Sequence, residues 1–313
     1  MSERIFITGA TGCIGSATVA WLKSKGFDDI VAFTRTGKSD TTDAIAGDIS
    51  DRSTIEKAVW KVNPTRIIHL AAFQTPDCQS QPFRGMEINV HGTNYLFQAA
   101  AALSEGHLQR CVFASSAAVY GARSLYPAAT VTEDSGLQPP NLYGHWKVSG
   151  EGAAQAFHME TDVPSISLRL ATTFGPGRDA GLTSAPTTAL KTAASGGEFA
   201  MPYIGREHYH FVEDVGAGFA MSAMADFSNG YYEFNLRGIT METTGFLAEI
   251  NTAAAELGLP ASEITTAKDA FKAPFVCDLD DSKILATFPD MPRTTIPDGI
   301  RQSLKYFAGE NSA

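Results

Sequence analysis

The sequence predicts an α/β fold, a doubly wound parallel sheet with a smaller C-terminal lobe, and three observations carry that prediction. Short apolar, β-prone runs alternate with segments of helical spacing up to about residue 170, the pattern of a parallel sheet covered on both faces. A glycine-spaced turn, Thr8-Gly-Ala-Thr-Gly-Cys-Ile-Gly15, separates the first strand from the first helix. The alternation then breaks after Gly175-Pro-Gly177, into a Thr/Ala/Gly-rich stretch of less regular structure.

Arg4-Ile-Phe-Ile-Thr8 is the first strand. Cys13 to Lys25 carries Ile14, Ala17, Trp21 and Leu22 at helical spacing and stops at Gly26, which suits a C-cap. A second strand runs from Asp29 to Arg35, and Ile45-Ala-Gly-Asp48 reads as a short third. Asp51 caps a helix through about Val62, because a carboxylate there can accept from the free N–H groups of the first turn. Arg66-Ile-Ile-His-Leu-Ala-Ala72 reads as the apolar run of a strand buried on both faces. Residues 84–106 form one long helix, with Met86, Val90, Thr93, Phe97 and Ala100 recurring along one side. Arg110 to Ser115 is the next strand, the segment around Tyr143 a helix, and Ser165 to Leu170 a further strand. In the second half, Tyr231 to Leu236 is a strand, Thr243 to Leu257 a helix, and Pro297 to Phe307 a last helix. The final five residues are expected to be floppy. Residues 1–170, with about 211–237, are assigned to the sheet domain, and 171–210 with 238–313 to the lobe.

The 313-residue chain is long enough for a sizeable core, and 44% hydrophobic with 19% charged residues is an ordinary globular balance. A net charge of −10 argues against a nucleic-acid surface, which needs a basic patch. Cys13, Cys78, Cys111 and Cys277 are scattered, with no Cys-x-x-Cys pair. Neither a disulfide framework nor a zinc site is expected, and a reduced, cytoplasmic setting fits. The N-terminus lacks the long apolar stretch of a signal peptide. No window approaches the ~18 apolar residues of a membrane span.

The glycines at 9, 12 and 15 permit a tight turn, close approach of backbone to a pyrophosphate, and close helix–strand packing. The helix N-terminus then meets the phosphates with its free N–H groups. This Rossmann-type turn implies a bound dinucleotide cradled by Gly9, Thr11, Gly12, Cys13, Ile14 and Gly15. An acid is usual at the end of the second strand, to hold the adenosine ribose; Thr34-Arg35-Thr36 stands there, with Lys38 close by. Arg35 would accept a 2′-phosphate, so NADP is slightly favoured over NAD. Asp48 and Ile49 fall at the adenine edge, and Leu70, Ala71 and Ala72 let backbone come close to the cofactor. Leu170, ending the sixth strand, is expected beside it.

Tyr143 and Lys147 are four residues apart on a helical segment, so they lie one above the other on one face. A nearby ammonium favours the phenolate and lowers a tyrosine pKa from its reference of about 10. A phenol so tuned acts as a general acid or base. Tyr-x-x-x-Lys alone occurs by chance, and an amphipathic surface helix would carry it equally well.

With these pieces in place, the chain resembles the extended short-chain dehydrogenase/reductases, the NAD-dependent epimerase/dehydratase family, over nearly its whole length. The ordered motifs are Thr-Gly-x-x-Gly-x-x-Gly, Gly47-Asp-Ile49, His69-Leu-Ala-Ala72, Asn89-Val-x-Gly-Thr93, Ser115-Ser-Ala-Ala-Val-Tyr-Gly121, Tyr143-x-x-x-Lys147, Leu168-Arg-Leu170 with Gly175-Pro-Gly177, and Phe211-Val-Glu-Asp-Val215. The resemblance implies that Tyr143 exchanges a proton with a substrate hydroxyl or carbonyl, and that Lys147 lowers its pKa and holds the nicotinamide ribose. It implies that Ser116 hydrogen-bonds the same substrate oxygen, with Ser115 a structural neighbour, and that Asn89, grouped with the cofactor residues, supports the geometry. It also implies a homodimer paired through the helices at 84–106 and 142–160.

The chain departs from that pattern in ways that narrow the chemistry. The family's dehydratases and decarboxylases place Asp or Glu after the serine or threonine, where this chain has Ala117 and Ala118. Its nucleotide-sugar enzymes often grip the diphosphate with an asparagine and an arginine; the matching positions are Thr172 and Glu207, with Arg206 one residue off. A smaller hydroxy or keto compound is therefore expected, surrounded by Phe73, Gln74, Ser116, Ala117, Thr172, Thr173, Arg178 and His210. His208 and His210 would share one strand face, but without a further ligand cluster no metal is expected. The expected activity is an NAD(P)-dependent oxidoreductase moving hydride at a hydroxyl or keto carbon of a small, polar, sugar-like substrate. The alternatives are a sugar or nucleotide-sugar epimerase with retained NAD, and a non-catalytic dinucleotide-binding protein.

Overall fold

A computed structural model describes residues 3–226, 229–273 and 275–309. Most of the final segment expected to be floppy, residues 310–313, lies outside the described residues. The chain begins β1 (Ile5–Thr8), α1 (Cys13–Ser24), β2 (Ile30–Thr34), β3 (Asp43–Ala46), α2 (Arg52–Val62) and β4 (Arg66–His69). It continues through α3 (Thr75–Ser80), α4 (Pro82–Met86), a π-helical turn (Glu87–Gly92), α5 (Thr93–Ala101) and β5 (Arg110–Ala114). Next come α6 (Leu142–Thr161), β6 (Ser165–Arg169), β7 (Thr172–Phe174), α7 (Ala185–Ser195), β8 (Glu198–Ile204) and β9 (Arg206–Phe211). The remainder is α8 (Val212–Met224), β10 (Tyr231–Asn235), β11 (Ile239–Glu242), α9 (Thr243–Glu256), β12 (Glu263–Lys272), α10 (Ser282–Thr287) and α11 (Ile296–Phe307).

Seven strands form one sheet in the order β10-β6-β5-β4-β1-β2-β3, every neighbouring pair parallel. This is the Rossmann-type doubly wound arrangement, with the order reversing beside β1. Side chains alternate across a strand, so each strand feeds two cores. Ile5 and Ile7 join Ile68, Val112, Ile166 and Leu168 beneath α1 and α8, with Val19, Leu22, Val215 and Phe219. Phe6 joins Phe33, Ile67, Cys111 and Phe113 beneath α2, α5 and α6, with Ile55, Val59, Leu96 and Phe157. Burial on both faces is why these strands read as unbroken apolar runs rather than alternating ones.

The lobe has two small sheets, β11-β9-β7 and β12-β8, packed with α7, α9 and α11 around an aromatic core. Phe246 stacks on Tyr209 at 4.6 Å and meets Phe174 edge-on at 5.2 Å between ring centres. The stretch after Gly177, expected to be less regular, contains α7, β8 and β9; its small residues, such as Ala189 and Ala193, are buried against this core.

Three further expectations differ in detail. The long helix at 84–106 is α4, the π turn and α5, and it ends at Ala101. The third strand is Asp43–Ala46, so Asp48 lies in the loop beyond it. The fourth strand stops at His69, and Leu70 to Ala72 leave the sheet toward the site. Asp51 caps α2 as expected, accepting from Ser53 N at 2.9 Å.

Helices α1 and α8 cross at Gly216, where an added Cβ would stand 2.5 Å from the carbonyl carbon of Ala17. Backbone cannot yield as a flexible side chain can, so Gly216→Ala is expected to destabilise the fold by about 1–3 kcal/mol. Urea unfolding measures this; an unchanged midpoint would contradict the close crossing.

Candidate active site

A cavity of about 900 Å³ opens beyond the carboxyl ends of the strands, at the top of the ~300–1,000 Å³ range of small-molecule sites. One wall is the turn from Gly9 to Gly15. Gly9 has φ +74°, and a Cβ there would meet Ala71 N at 2.9 Å, while one on Gly15 would meet Gly9 O at 2.2 Å. Gly12, the N-cap of α1, supplies no side-chain cap, and the first turn holds no acidic residue. The free N–H groups of α1 are thus left for an anion, and the residues present fit a dinucleotide's pyrophosphate.

Beneath the turn runs a hydrogen-bond chain that sequence reading missed. Leu70 N and Ala71 N each donate to Thr8 Oγ1 at 3.2 Å. The Thr8 hydroxyl then donates to His69 Nδ1 at 2.6 Å, and His69 Nε2 donates to Thr93 Oγ1 at 2.9 Å. Thr93 gives its own proton to Asn89 O at 2.8 Å. With every hydroxyl proton committed, the network assigns His69 the Nε2–H tautomer. Burial, helped by the charge of Lys147, pushes the His69 pKa down to about 3, so the ring stays neutral.

Asn89, in the π turn, holds both polar groups of Phe73: Phe73 N donates to Oδ1 at 2.8 Å and Nδ2 donates to Phe73 O at 2.9 Å. Buried among these partners, Asn89 does not line the cavity. This corrects its grouping with the cofactor residues; it fixes the loop that carries Phe73 and Gln74. The other residues expected at the cofactor all line the cavity: Gly9, Thr11, Gly12, Cys13, Ile14, Gly15, Arg35, Asp48, Ile49, Leu70, Ala71, Ala72, Tyr143, Lys147 and Leu170. The Asp48 carboxylate is already engaged by Ser50 N and Ser50 Oγ, at 2.9 and 2.7 Å, and by Arg84.

Helix α6 begins at the cavity because Asn141 caps it, accepting from Gly144 N at 3.0 Å. Tyr143 and Lys147 both face the cavity, with Ser116 opposite on the loop after β5. Ser116 Oγ accepts from Ala118 N at 3.1 Å and donates to Leu170 O at 3.4 Å. Lys147 Nζ donates to Ala114 O at 2.6 Å and lies 5.5 Å from the Tyr143 ring centre. Burial pushes the Lys147 pKa down to about 8, while Cys78 and Glu151 act the other way. The Tyr143 phenol is raised, first by burial, with the Ser116 hydroxyl and Arg178 opposing. The expected lowering by Lys147 is therefore not what sets this phenol: the ammonium is itself desolvated and turned onto a carbonyl.

One turn past Lys147, Glu151 forms a buried pair with Arg169, whose Nε and Nη2 donate to Oε1 and Oε2, each at 2.8 Å. Ser115 Oγ donates to the same Oε1 at 2.5 Å. Arg169 also donates to the Tyr120 hydroxyl at 2.8 Å and to Glu133 O at 3.2 Å. Ser115, next to Ser116 in sequence, thus has its hydroxyl proton committed to this buried pair.

On the substrate side, Phe73, Gln74, Ser116, Ala117, Thr172, Thr173 and Arg178 line the cavity. His210 does not: its Nδ1 donates to Arg237 O at 2.7 Å and its Nε2 accepts from Ala171 N at 2.9 Å. Burial lowers its pKa to about 4, and it serves as a neutral brace for the Ala171 loop. Glu207 is also withdrawn from the cavity, accepting from Thr172 at 2.6 Å and from the Tyr209 hydroxyl at 3.2 Å. Burial raises its pKa, and its carboxyl is engaged within the lobe rather than facing the cavity. Arg206 pairs with Asp278 at 2.7 Å and takes no part. Phe271, Phe275 and Val276 of the lobe close the cavity, and no local motif marks them. Among the described residues, no group of three or more His, Cys, Asp or Glu side chains is placed to hold a metal, and no helix is long and apolar enough to cross a membrane.

A family model described as the NAD dependent epimerase/dehydratase family matches residues 5–235. A UDP-glucose 4-epimerase of Lactobacillus helveticus is 30% identical over 206 residues, 62% of this chain and 61% of that protein. A D-erythronate dehydrogenase of Cupriavidus necator is 29% identical over 208 residues, 62% of this chain and 60% of that protein. These alignments thus span about three fifths of each relative's length. Among solved structures, a Thermus thermophilus UDP-glucose 4-epimerase complex with NAD superposes with a TM-score of 0.80. It is 21% identical and the match covers 99% of this chain and all of that one.

The depressed pKa of Lys147 has a measurable consequence. Between pH about 8 and 10.5 the unfolded chain holds a proton that the native state lacks, so this residue makes stability rise with pH across that window. Wild type is expected to gain on the order of 3 kcal/mol relative to Lys147→Met from one end of the window to the other. Urea unfolding of both proteins across the window tests it; a pH-independent difference would contradict the burial of a charged lysine.

Proposed function

The chain belongs to the NAD dependent epimerase/dehydratase family, and from that premise we propose that it is an NAD(P)-dependent oxidoreductase acting at a hydroxyl or keto carbon of a small, polar, sugar-like compound. The observation that carries the proposal is the convergence of Ser116, Tyr143 and Lys147 on the cavity that the Gly9–Gly15 turn walls. Residues 1–170 with about 211–237 hold the dinucleotide, and 171–210 with 238–313 cover the substrate. Arg35, exposed at the end of β2 and lining the cavity, favours NADP over NAD. Four unpaired thiols suit a reduced cytoplasmic setting.

A nicotinamide bound in the cavity would supply or take up the hydride. Ser116 Oγ and Tyr143 Oη hold the substrate oxygen, which fixes the reacting carbon in place. In reduction the Tyr143 phenol, kept protonated by burial, gives its proton to the carbonyl oxygen as the C–H bond forms. In oxidation the phenolate must accept the hydroxyl proton while the carbinol C–H bond breaks, so this direction gains with rising pH. Lys147 neighbours the phenol and would hold the ribose. Ala117 and Ala118 put no carboxylate beside the neighbouring carbon, which speaks against dehydration and decarboxylation.

An epimerase with retained NAD is the second reading, favoured by one observation: with Glu207 sealed in the lobe, nothing at that position repels a sugar diphosphate. The two readings part on net turnover. The oxidoreductase converts free NAD or NADP stoichiometrically with substrate; cofactor that copurifies, with no net reduction during turnover, would falsify it in favour of the epimerase. Tyr143→Phe is expected to lower kcat by about 10²–10⁴ while leaving dinucleotide affinity intact; undiminished activity would remove catalysis from Tyr143.

Two copies pair through the helical segments at 84–106 and 142–160, which include α5 and most of α6. Small residues along these segments, among them Ala99, Ala100, Gly150 and Ala154, would allow close packing between helices. Sedimentation as a dimer at micromolar concentration is the expected outcome, and a monomer would contradict it.

A further inference from the structure

The charged side chains around the cavity are few: Arg35, Asp48, Arg84, Lys147 and Arg178. Asp48 and Arg84 pair with each other near the adenine end, and Lys147 is turned onto Ala114 O. Arg178 remains; its charge acts on both Tyr143 and Cys13 of the glycine turn, and among the described residues it makes no ion pair. Two neutral oxygens hold it instead. Its Nη1 donates to Gln74 Oε1 at 3.0 Å and its Nη2 to Thr183 Oγ1 at 2.6 Å. Its Nε is buried with no partner, as is the hydroxyl of Thr173, which also lines the cavity. A half-buried guanidinium bridging two loops, with its Nε unpartnered and no counter-anion among the described residues, is a fixed positive charge with donor capacity left for an anion.

We infer that Arg178 anchors the carboxylate of the substrate, which makes the substrate class small hydroxy acids and their keto counterparts. The inference rests on the oxidoreductase reading above and specifies its substrate. Three features favour a carboxylate over the diphosphate of a nucleotide sugar. A single planar guanidinium matches one carboxylate, which it can grip through two N–H groups. A diphosphate carries more charge than this one cation balances, and no second free cation lines the substrate side among the described residues. Arg178 and Tyr143 line the same cavity and the guanidinium charge favours the phenolate, so an anion held by Arg178 shares the cavity with the reacting carbon. Thr173, with its unpartnered hydroxyl, is placed to take a further substrate hydroxyl.

The test is calorimetric titration of the protein saturated with reduced dinucleotide, which bars oxidation of an alcohol during the measurement. The probes are trihydroxybutanoates, the four-carbon polyols that match them, and UDP-glucose. Wild type is expected to bind an acid roughly 10- to 100-fold more tightly than its polyol, the range of a charged hydrogen-bonded contact. Arg178→Gln should abolish that preference, Arg178→Lys should keep part of it, and neither should change dinucleotide affinity. Equal binding of acid and polyol, an acid preference that survives in Arg178→Gln, or tighter binding of UDP-glucose than of any acid would each overturn the inference. So would loss of dinucleotide affinity in Arg178→Gln with the acid preference intact, which would assign the guanidinium to the cofactor. Turnover is read separately, from the near-ultraviolet absorbance of the reduced nicotinamide with oxidised dinucleotide supplied. An acid bound through Arg178 and never oxidised overturns the oxidoreductase reading and leaves the anchor standing. An acid oxidised equally well by wild type and Arg178→Gln does the reverse.

Discussion

The buried pair between Glu151 and Arg169 is the constraint on which the site depends. It ties α6, which carries Tyr143 and Lys147, to β6 and, through Ser115, to the end of β5. Two charges removed from water are tolerated only when nearly every donor and acceptor is used. Here Glu151 takes two bonds from the guanidinium and one from Ser115, and Arg169 spends its remaining reach on Tyr120 and Glu133. That saturation fixes the helix in both rotation and height against the sheet. Ser116, the next residue, is thereby presented to Tyr143.

A second network does the same for the other wall. Thr8, His69, Thr93 and Asn89 form one line of hydrogen bonds from the end of β1 to the loop at Phe73. Each member sits where a strand or helix meets the site, and none is offered to a ligand. Their work is to hold backbone that regular sheet pairing no longer holds, since β4 stops at His69. The π turn belongs to this arrangement: it carries Asn89, whose amide makes the two bonds to Phe73. The cost is borne by groups kept in unfavourable protonation surroundings, with His69, His210 and Lys147 all held below their usual pKa by burial.

Much of the fold was legible because the β strands of the large sheet are buried on both faces, which writes them as apolar runs. The glycine turn was legible for a different reason: contacts of 2.2 to 2.9 Å to an added Cβ leave no other residue possible at Gly15 and Gly9 without movement. The lobe was poorly legible. Helix α7 is packed with alanines and threonines whose burial comes from distant partners, so its spacing carries little hydrophobic contrast. His210 reads as a substrate contact because polar residues beside a motif usually are, and Glu207 stands where the family's nucleotide-sugar enzymes often keep an arginine; each is instead satisfied by a neighbour remote in sequence.

By itself the sequence determined the strand–turn–helix that can cradle a dinucleotide, the order of the parallel strands' segments, and the stacking of Tyr143 with Lys147 on one helix face. These are local facts, set by backbone geometry within a few residues. Only the tertiary structure decided which polar groups face the cavity and which brace it. Asn89 and His210 turn inward, Arg178 has no counter-charge among the described residues, and the Tyr143 phenol is raised by burial rather than lowered by Lys147. The physical reason is that burial and hydrogen-bond satisfaction are sums over neighbours far apart in the chain, and no local pattern records those sums.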